Sequence, residues 1–208
     1  MRDRDRDSHL PDGHTPDSAA PPSALALPNT AEALTRHRAR AVMWCRIGLA
    51  LLTGSVVAAL AGPALTVPTG PVPARVGVLA LCLLGMGLGG VRLSRRMRRQ
   101  LAAAPWTACD VVSVPRGPFS ARMVLRDPAT GELWPLTPVA AGHRYHQVRP
   151  GPSGVVWWCG DPGTGGVIAP EGGGGALIWT RAVRQPGARL RAVRAAERAG
   201  LSTAPGPV

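Results

Sequence analysis

The sequence predicts a membrane α-helical hairpin joined to a small all-β domain, SH3-like or OB-like in plan with its topology open, and three observations carry that expectation. Two apolar runs, Ile47 to Val67 and Val72 to Val91, hold 21 and 20 residues, and Arg75 is the one charge in either. A helix rising 1.5 Å per residue needs about 20 apolar residues to cross a hydrocarbon core of about 30 Å, so both runs are long enough. Arginine crowds the outer flanks of the pair. From Trp106 onward, short runs rich in Val, Trp and Thr alternate with Pro, Gly and Asp clusters, which is the pattern of strands and turns.

The charge is best read by where it lies. All 24 basic side chains are Arg, set against 12 acids, for a net charge of +12 and a pI near 11.5. Residues 1–35 hold three Arg and six acids, residues 36–99 ten Arg and no acid, and residues 100–208 eleven Arg and six acids. The excess therefore sits beside the apolar runs, where each Arg attracts anionic lipid by about 1 kcal/mol. Anionic headgroups are the favoured partner, and nucleic acid bound through the basic flanks is the weaker alternative. With no Lys, Asn29 as the one Asn, and abundant Ala, Gly, Pro and Arg, the usage resembles that of a high-GC bacterial genome, so part of the Arg excess is codon bias. Cys45, Cys82, Cys109 and Cys159 show no CxxC spacing and read as small apolar residues, not as a zinc or redox site.

The elements follow in order. Residues 1–28 open on the alternating run Arg2 to Asp7 and offer no apolar face, which predicts a disordered arm. The first long apolar run begins only at residue 47, so no cleaved signal peptide is expected. Residues 29–46 form a juxtamembrane helix, opened by Asn29 and Glu32 at capping-box spacing. It carries Arg36, Arg38, Arg40 and Arg46, with Trp44 as an interfacial anchor.

Residues 47–91 make the two-helix hairpin, its link marked by Pro63, Pro68, Pro71 and Pro73. A second helix beginning at Val76 would leave 16 residues before Arg92, about 24 Å of rise, so a start near Val72 with Arg75 reaching outward fits better. Four Arg precede the first helix and five, Arg92, Arg95, Arg96, Arg98 and Arg99, follow the second, against Arg75 alone at the link. By the positive-inside rule both ends face the cytoplasm of a bacterial plasma membrane. Gly54, Ala58 and Gly62, and Gly85 and Gly89, form small-residue stripes at four-residue spacing, read as packing between the two helices or within a homo-oligomer. Neither span contains an acid or a His or is broken at its middle, which argues against a transporter.

Residues 92–104 continue as a basic helix with Arg92, Arg95, Arg96 and Arg99 on one face, read as a headgroup clamp or a stop-transfer flank, and Trp106 could rest on the membrane if it lay flat. Residues 105–183 form the β domain. Its strands are expected at Thr107–Val114, Ala121–Arg126, Glu132–Leu136, Arg144–Val148, Val155–Cys159, Val167–Ala169 and Ala176–Thr180, with Asp127–Gly131 and Asp161–Gly166 as turns. Adjacent Trp157 and Trp158 must point to opposite faces of a strand, so one is core and the other marks a second surface that could meet a partner. Residues 184–208 are a basic tail with a short helix, Leu190, Val193 and Leu201 on one side, docked on the domain or on lipid.

Catalytic motifs are missing from the pattern. The string Gly160 to Gly166 has the look of a phosphate loop but lies between strands, and the chain has no Lys for a Walker A motif. His143 and His146 fall on opposite strand faces, and no GxSxG, HExxH or paired carboxylates occur. The arrangement of arm, hairpin, Arg cluster and Trp-rich β domain with Val156-Trp157-Trp158-Cys159-Gly160-Asp161-Pro162 resembles uncharacterised actinobacterial two-pass membrane proteins. In plan, a hairpin joined to a small barrel is also similar to NfeD-like proteins, a likeness that implies an accessory role. The first expectation is thus a non-enzymatic membrane-anchored protein, without cofactor or metal, whose β domain is a protein-interaction or accessory module. The second is a membrane-bound sensor or enzyme with a pocket around His143, Tyr145, Cys159 and Asp161.

Overall fold

The computed structural model describes residues 22–61, 72–117, 120–139 and 154–201. Two long helices come first, α1 over Pro28–Ala61 and α2 over Val72–Ala103, of 34 and 32 residues. Each is unbroken through its apolar run and its basic flank, so the segments 29–46 and 92–104 are extensions of the same helices and neither is a separate element. At 1.5 Å per residue each helix spans about 50 Å, some 20 Å more than a bilayer core.

The helix start differs from the expected box at Asn29. The Leu27 carbonyl accepts from the N–H groups of Thr30 and Ala31, both at 3.1 Å, and Pro28 opens the helix where its missing donor costs nothing. Glu32 pairs forward with Arg36 on the next turn. Residues 22–27, assigned above to a disordered arm, are ordered, because they bring an apolar turn, Ala24–Ala26, under the hairpin. Ala24 is 1% exposed there, and its N–H donates to Ala104 O at 2.9 Å. The rest of the arm and the hairpin link lie outside the described residues.

The seam between α1 and α2 follows a seven-residue repeat. Leu34, Ala41 and Gly48 on α1 are buried at that spacing, and Ala80, Gly87, Ser94 and Leu101 on α2 match it. This is the period of coiled-coil contact, here with small residues that let the backbones close up. A Cβ at Gly48 would stand 2.7 Å from Leu84 N, and one at Gly87 2.6 Å from Cys45 N. Ser55 continues the series and donates to Pro73 O at 2.5 Å. The expected stripe is not the seam: Gly54, Gly85 and Gly89 face open space. A shift of two positions from Gly87 rotates a residue about 200° around the helix.

Six strands follow, β1 Thr107–Gly117, β2 Ser120–Arg126, β3 Leu133–Val139, β4 Val155–Asp161, β5 Gly165–Ala169 and β6 Ile178–Ala182. They close into an antiparallel barrel in the order β1-β2-β3-β6-β5-β4, two three-stranded meanders joined edge to edge. Closure leaves no free sheet edge. The candidate strand Arg144–Val148 lies outside the described residues. Both Asp-Pro turns form as the sequence suggests. Thr130 Oγ1 donates to Asp127 Oδ2 at 2.7 Å, Thr164 Oγ1 to Asp161 Oδ2 at 2.9 Å, and Gly131 and Gly165 follow with positive φ of 72° and 108°.

Alternate residues fill the barrel: Val111, Met123, Leu125, Leu136, Val156, Trp158, Ile168 and Ile178 form one cluster. The outer surface is covered from two sides. Helix α3, Pro186–Arg198, buries Ala188, Ala192 and Ala196, the last two against Val124 and Leu133, and Gly200 with Leu201 closes it in a Schellman turn, Leu201 N–H donating to Ala196 O at 3.0 Å. The tail helix thus docks by its alanines, while Leu190 is 52% exposed. On the other side β5 and β6 press Val167, Ala169 and Trp179 against Leu34, Met97 and Leu101 of the hairpin.

Candidate functional site

The junction of hairpin and barrel gathers most of the residues singled out by sequence, and it gives them different tasks. Arg36 is paired with Glu32. The Arg96 guanidinium lies over the Trp179 ring, 4.4 Å from its centroid, so this Arg of the expected clamp stacks on the barrel. Arg38 of α1 and Arg95 and Arg98 of α2 line one cleft between the two helices. Arg36 and Arg40 with His37 line a second cleft on the other side of α1, under residues 175–178. Arg46, Arg92 and Arg99 are exposed on the helix flanks. The four Arg of one helical face therefore have different surroundings: Arg96 meets the barrel, Arg95 lines the cleft, and Arg92 and Arg99 are exposed.

The two tryptophans divide as the strand geometry requires. Trp158 points into the barrel, 3% exposed, with its ring centroid 5.1 Å from that of Trp134. Trp157 points outward, but half-buried, with the Trp106 ring centroid at 6.2 Å. Trp106 in turn donates from Nε1 to Thr30 Oγ1 at 3.1 Å, and Thr30 Oγ1 donates to Gly173 O at 2.9 Å. Trp106 is thus held, half-buried, between α1 and the barrel, and the second surface that Trp157 marks is covered largely by its own chain.

The pocket expected around His143, Tyr145, Cys159 and Asp161 falls partly outside the described residues, which include neither His143 nor Tyr145. The other two members serve local structure. Cys159 faces the end of α2, its Sγ 3.5 Å from both Gln100 O and Ala104 O, and burial pushes its thiol up to about 11. Asp161 is spent on its own turn, and the N–H of Gly163 followed by the Thr164 hydroxyl holds its carboxyl below the usual range. Cys109, inside the barrel, is pushed up to about 12 by burial and then by the nearby Asp127 and Asp110. Neither thiol is a nucleophile at neutral pH. Among the described residues no three His, Cys, Asp or Glu side chains come together to hold a metal ion.

What sequence reasoning missed was Arg98 and the sorting of the Arg by partner. The usable signal was the seven-residue spacing of Ala80, Gly87 and Ser94, which fixes the face of α2 that meets α1 and hence the Arg beside it. Compared with protein families, curated proteins and solved structures, the chain matches none.

Proposed function

We propose that the chain is a two-pass protein of the bacterial plasma membrane, with both ends in the cytoplasm and Arg flanks on anionic headgroups, whose barrel is a non-enzymatic interaction or accessory module. One observation carries the membrane part. Twelve of the fourteen large apolar side chains exposed among the described residues lie between Met43 and Leu88, the others being Val139 and Leu190. Only 11% of the most apolar window of either helix is buried, whereas a core helix of a water-soluble protein is mostly covered. Support for the module comes from the seating of the barrel on both helices and from the local use of its thiols and of Asp161.

The membrane part is tested by washing lysed-cell membranes with alkaline carbonate and labelling intact cells with an impermeant maleimide. The chain stays in the pellet, Thr69→Cys labels from outside, and Ala129→Cys labels only after permeabilisation. Recovery in the supernatant, or outside labelling at residue 129, overturns it. The module part is tested with a photo-crosslinking residue at Val139 or Leu190 in intact membranes. A discrete adduct at either supports it; adducts at neither position remove it.

A further inference from the structure

We infer that the cleft between α1 and α2 is a built site for a phosphate-bearing anion, gripped by Arg38, Arg95 and Arg98. The cleft has a volume of about 460 Å³ and is also lined by Thr35, Ser94 and Leu25. Three arginines from two helices line it, all of them exposed to solvent. Among the described residues, Arg36, Arg126 and Arg189 have carboxylate partners, and none of the three cleft arginines does. Like charges gathered without a counter-charge repel, and a bound anion relieves that repulsion while matching the planar fork of each guanidinium.

The hydroxyls define the ligand further. Thr35 Oγ1 donates to Ala31 O at 2.9 Å and Ser94 Oγ to Val91 O at 2.8 Å, so both hydroxyl protons are used within their own helices. The donors left for an anion are the guanidinium N–H groups. Three positive charges favour a ligand with two or more negative ones, a phosphomonoester or a pair of phosphates.

Depth points to the source. Arg95 and Arg98 stand four and seven residues beyond Val91, about 6 and 10 Å below the hydrocarbon by helix rise. On α2 the helix N-terminus lies toward the apolar run, so these side chains tilt up into the headgroup layer, about 5 to 8 Å thick on each side. Arg38 stands three residues before Ala41, which meets Gly90 across the seam, so by helix rise it lies within about 3 Å of the level of Arg95 and closes the cleft from α1. A headgroup that carries two phosphates therefore meets the cleft from above; that source, unlike the cleft, rests on the membrane reading.

The test uses the full chain in a neutral detergent with two probes, cardiolipin followed by native mass spectrometry and pyrophosphate followed by titration calorimetry. Arg38→Gln, Arg95→Gln and Arg98→Gln each weaken binding at least five-fold, while Arg181→Gln and Arg184→Gln, equal losses of charge at exposed positions outside the cleft and the helix flanks, change it less than two-fold. Cardiolipin retained against excess pyrophosphate makes the ligand a lipid; pyrophosphate bound with the same dependence on the three Arg, and cardiolipin not, makes it a soluble phosphate. If neither probe binds, or the control variants weaken binding equally, there is no built site. Should a Gln variant unfold, Arg95→Lys and Arg98→Lys keep the charge, lose the fork and are expected to weaken binding by a smaller factor; unchanged affinity in both overturns the site. A chain that fails the carbonate wash yet binds pyrophosphate through these Arg loses the membrane and keeps the cleft.

Discussion

Cys159 sits where α2 ends, and its thiol faces carbonyls that the helix itself leaves without partners. Its role requires the proton. Burial raises Cys159 to about 11 and Cys109 to about 12 from an ordinary 9.0, so both remain thiols in the folded chain when their unfolded counterparts begin to ionise. Groups raised in the folded state contribute stability that is complete below the unfolded value and is lost as pH climbs through the folded one. The unfolding temperature in detergent is thus expected to fall from pH 9 up to about pH 12. Cys109→Ala and Cys159→Ala together flatten that fall, and an unchanged slope would show that the thiols are not its cause. The Arg96 and Trp179 contact is a second test at this scale. Arg96→Gln is expected to cost about 1 kcal/mol in thermal unfolding, against no measurable change for the exposed Arg99→Gln.

The helices test a rule about spacing. Gly87 lies against Cys45 and Ala41 of α1, whereas nothing stands within 4 Å of a Cβ at Gly85. Gly87→Leu is expected to push the helices apart and cost about 1 to 3 kcal/mol, as overpacking does. Gly85→Leu leaves the unfolding temperature within experimental error; equal loss in both would put Gly85 in a contact with another molecule. The existence of both helices, the two Asp-Pro turns and most strands could be read from sequence, because long apolar runs and turn chemistry are local signals. The rotation of each helix could not be read from a four-residue stripe, since Gly85, Gly87 and Gly89 look alike until a partner selects one. In the same way Leu190, expected beside Val193 and Leu201 on the docking side of α3, faces outward, while those two pack on the barrel. Its buried face is alanine because the helix lies close to the barrel, and only contact distance decides between a large and a small apolar residue.

At the scale of the whole molecule the barrel is covered on two sides, by α3 over β2 and β3 and by the hairpin over β5 and β6. The hairpin's cover on the outside, with the barrel core within, explains why all five residues of β5 are buried although strands of a half-exposed sheet alternate. It also explains why Trp157 and Trp158 are both engaged. The sequence placed them on opposite faces, but which face had a cover was a long-range fact, set by Thr30 and Gly173 at 143 residues' separation. A fragment of residues 105–201 would bare Val167, Ala169 and Trp179. It is expected to aggregate or to unfold well below the full chain, as measured by light scattering and calorimetry. A soluble fragment as stable as the parent would mean that the hairpin contributes nothing to the barrel.

Ala24 and Cys159 close the end of α2 from two sides, which ties the long helices to β4 close to where the strands begin. In a bilayer the barrel would therefore act as a keel. Any lean forced on the helices by lipids of different length would swing the Asp127 and Asp161 turns sideways through the water beside the bilayer, and a partner holding those turns would resist the lean.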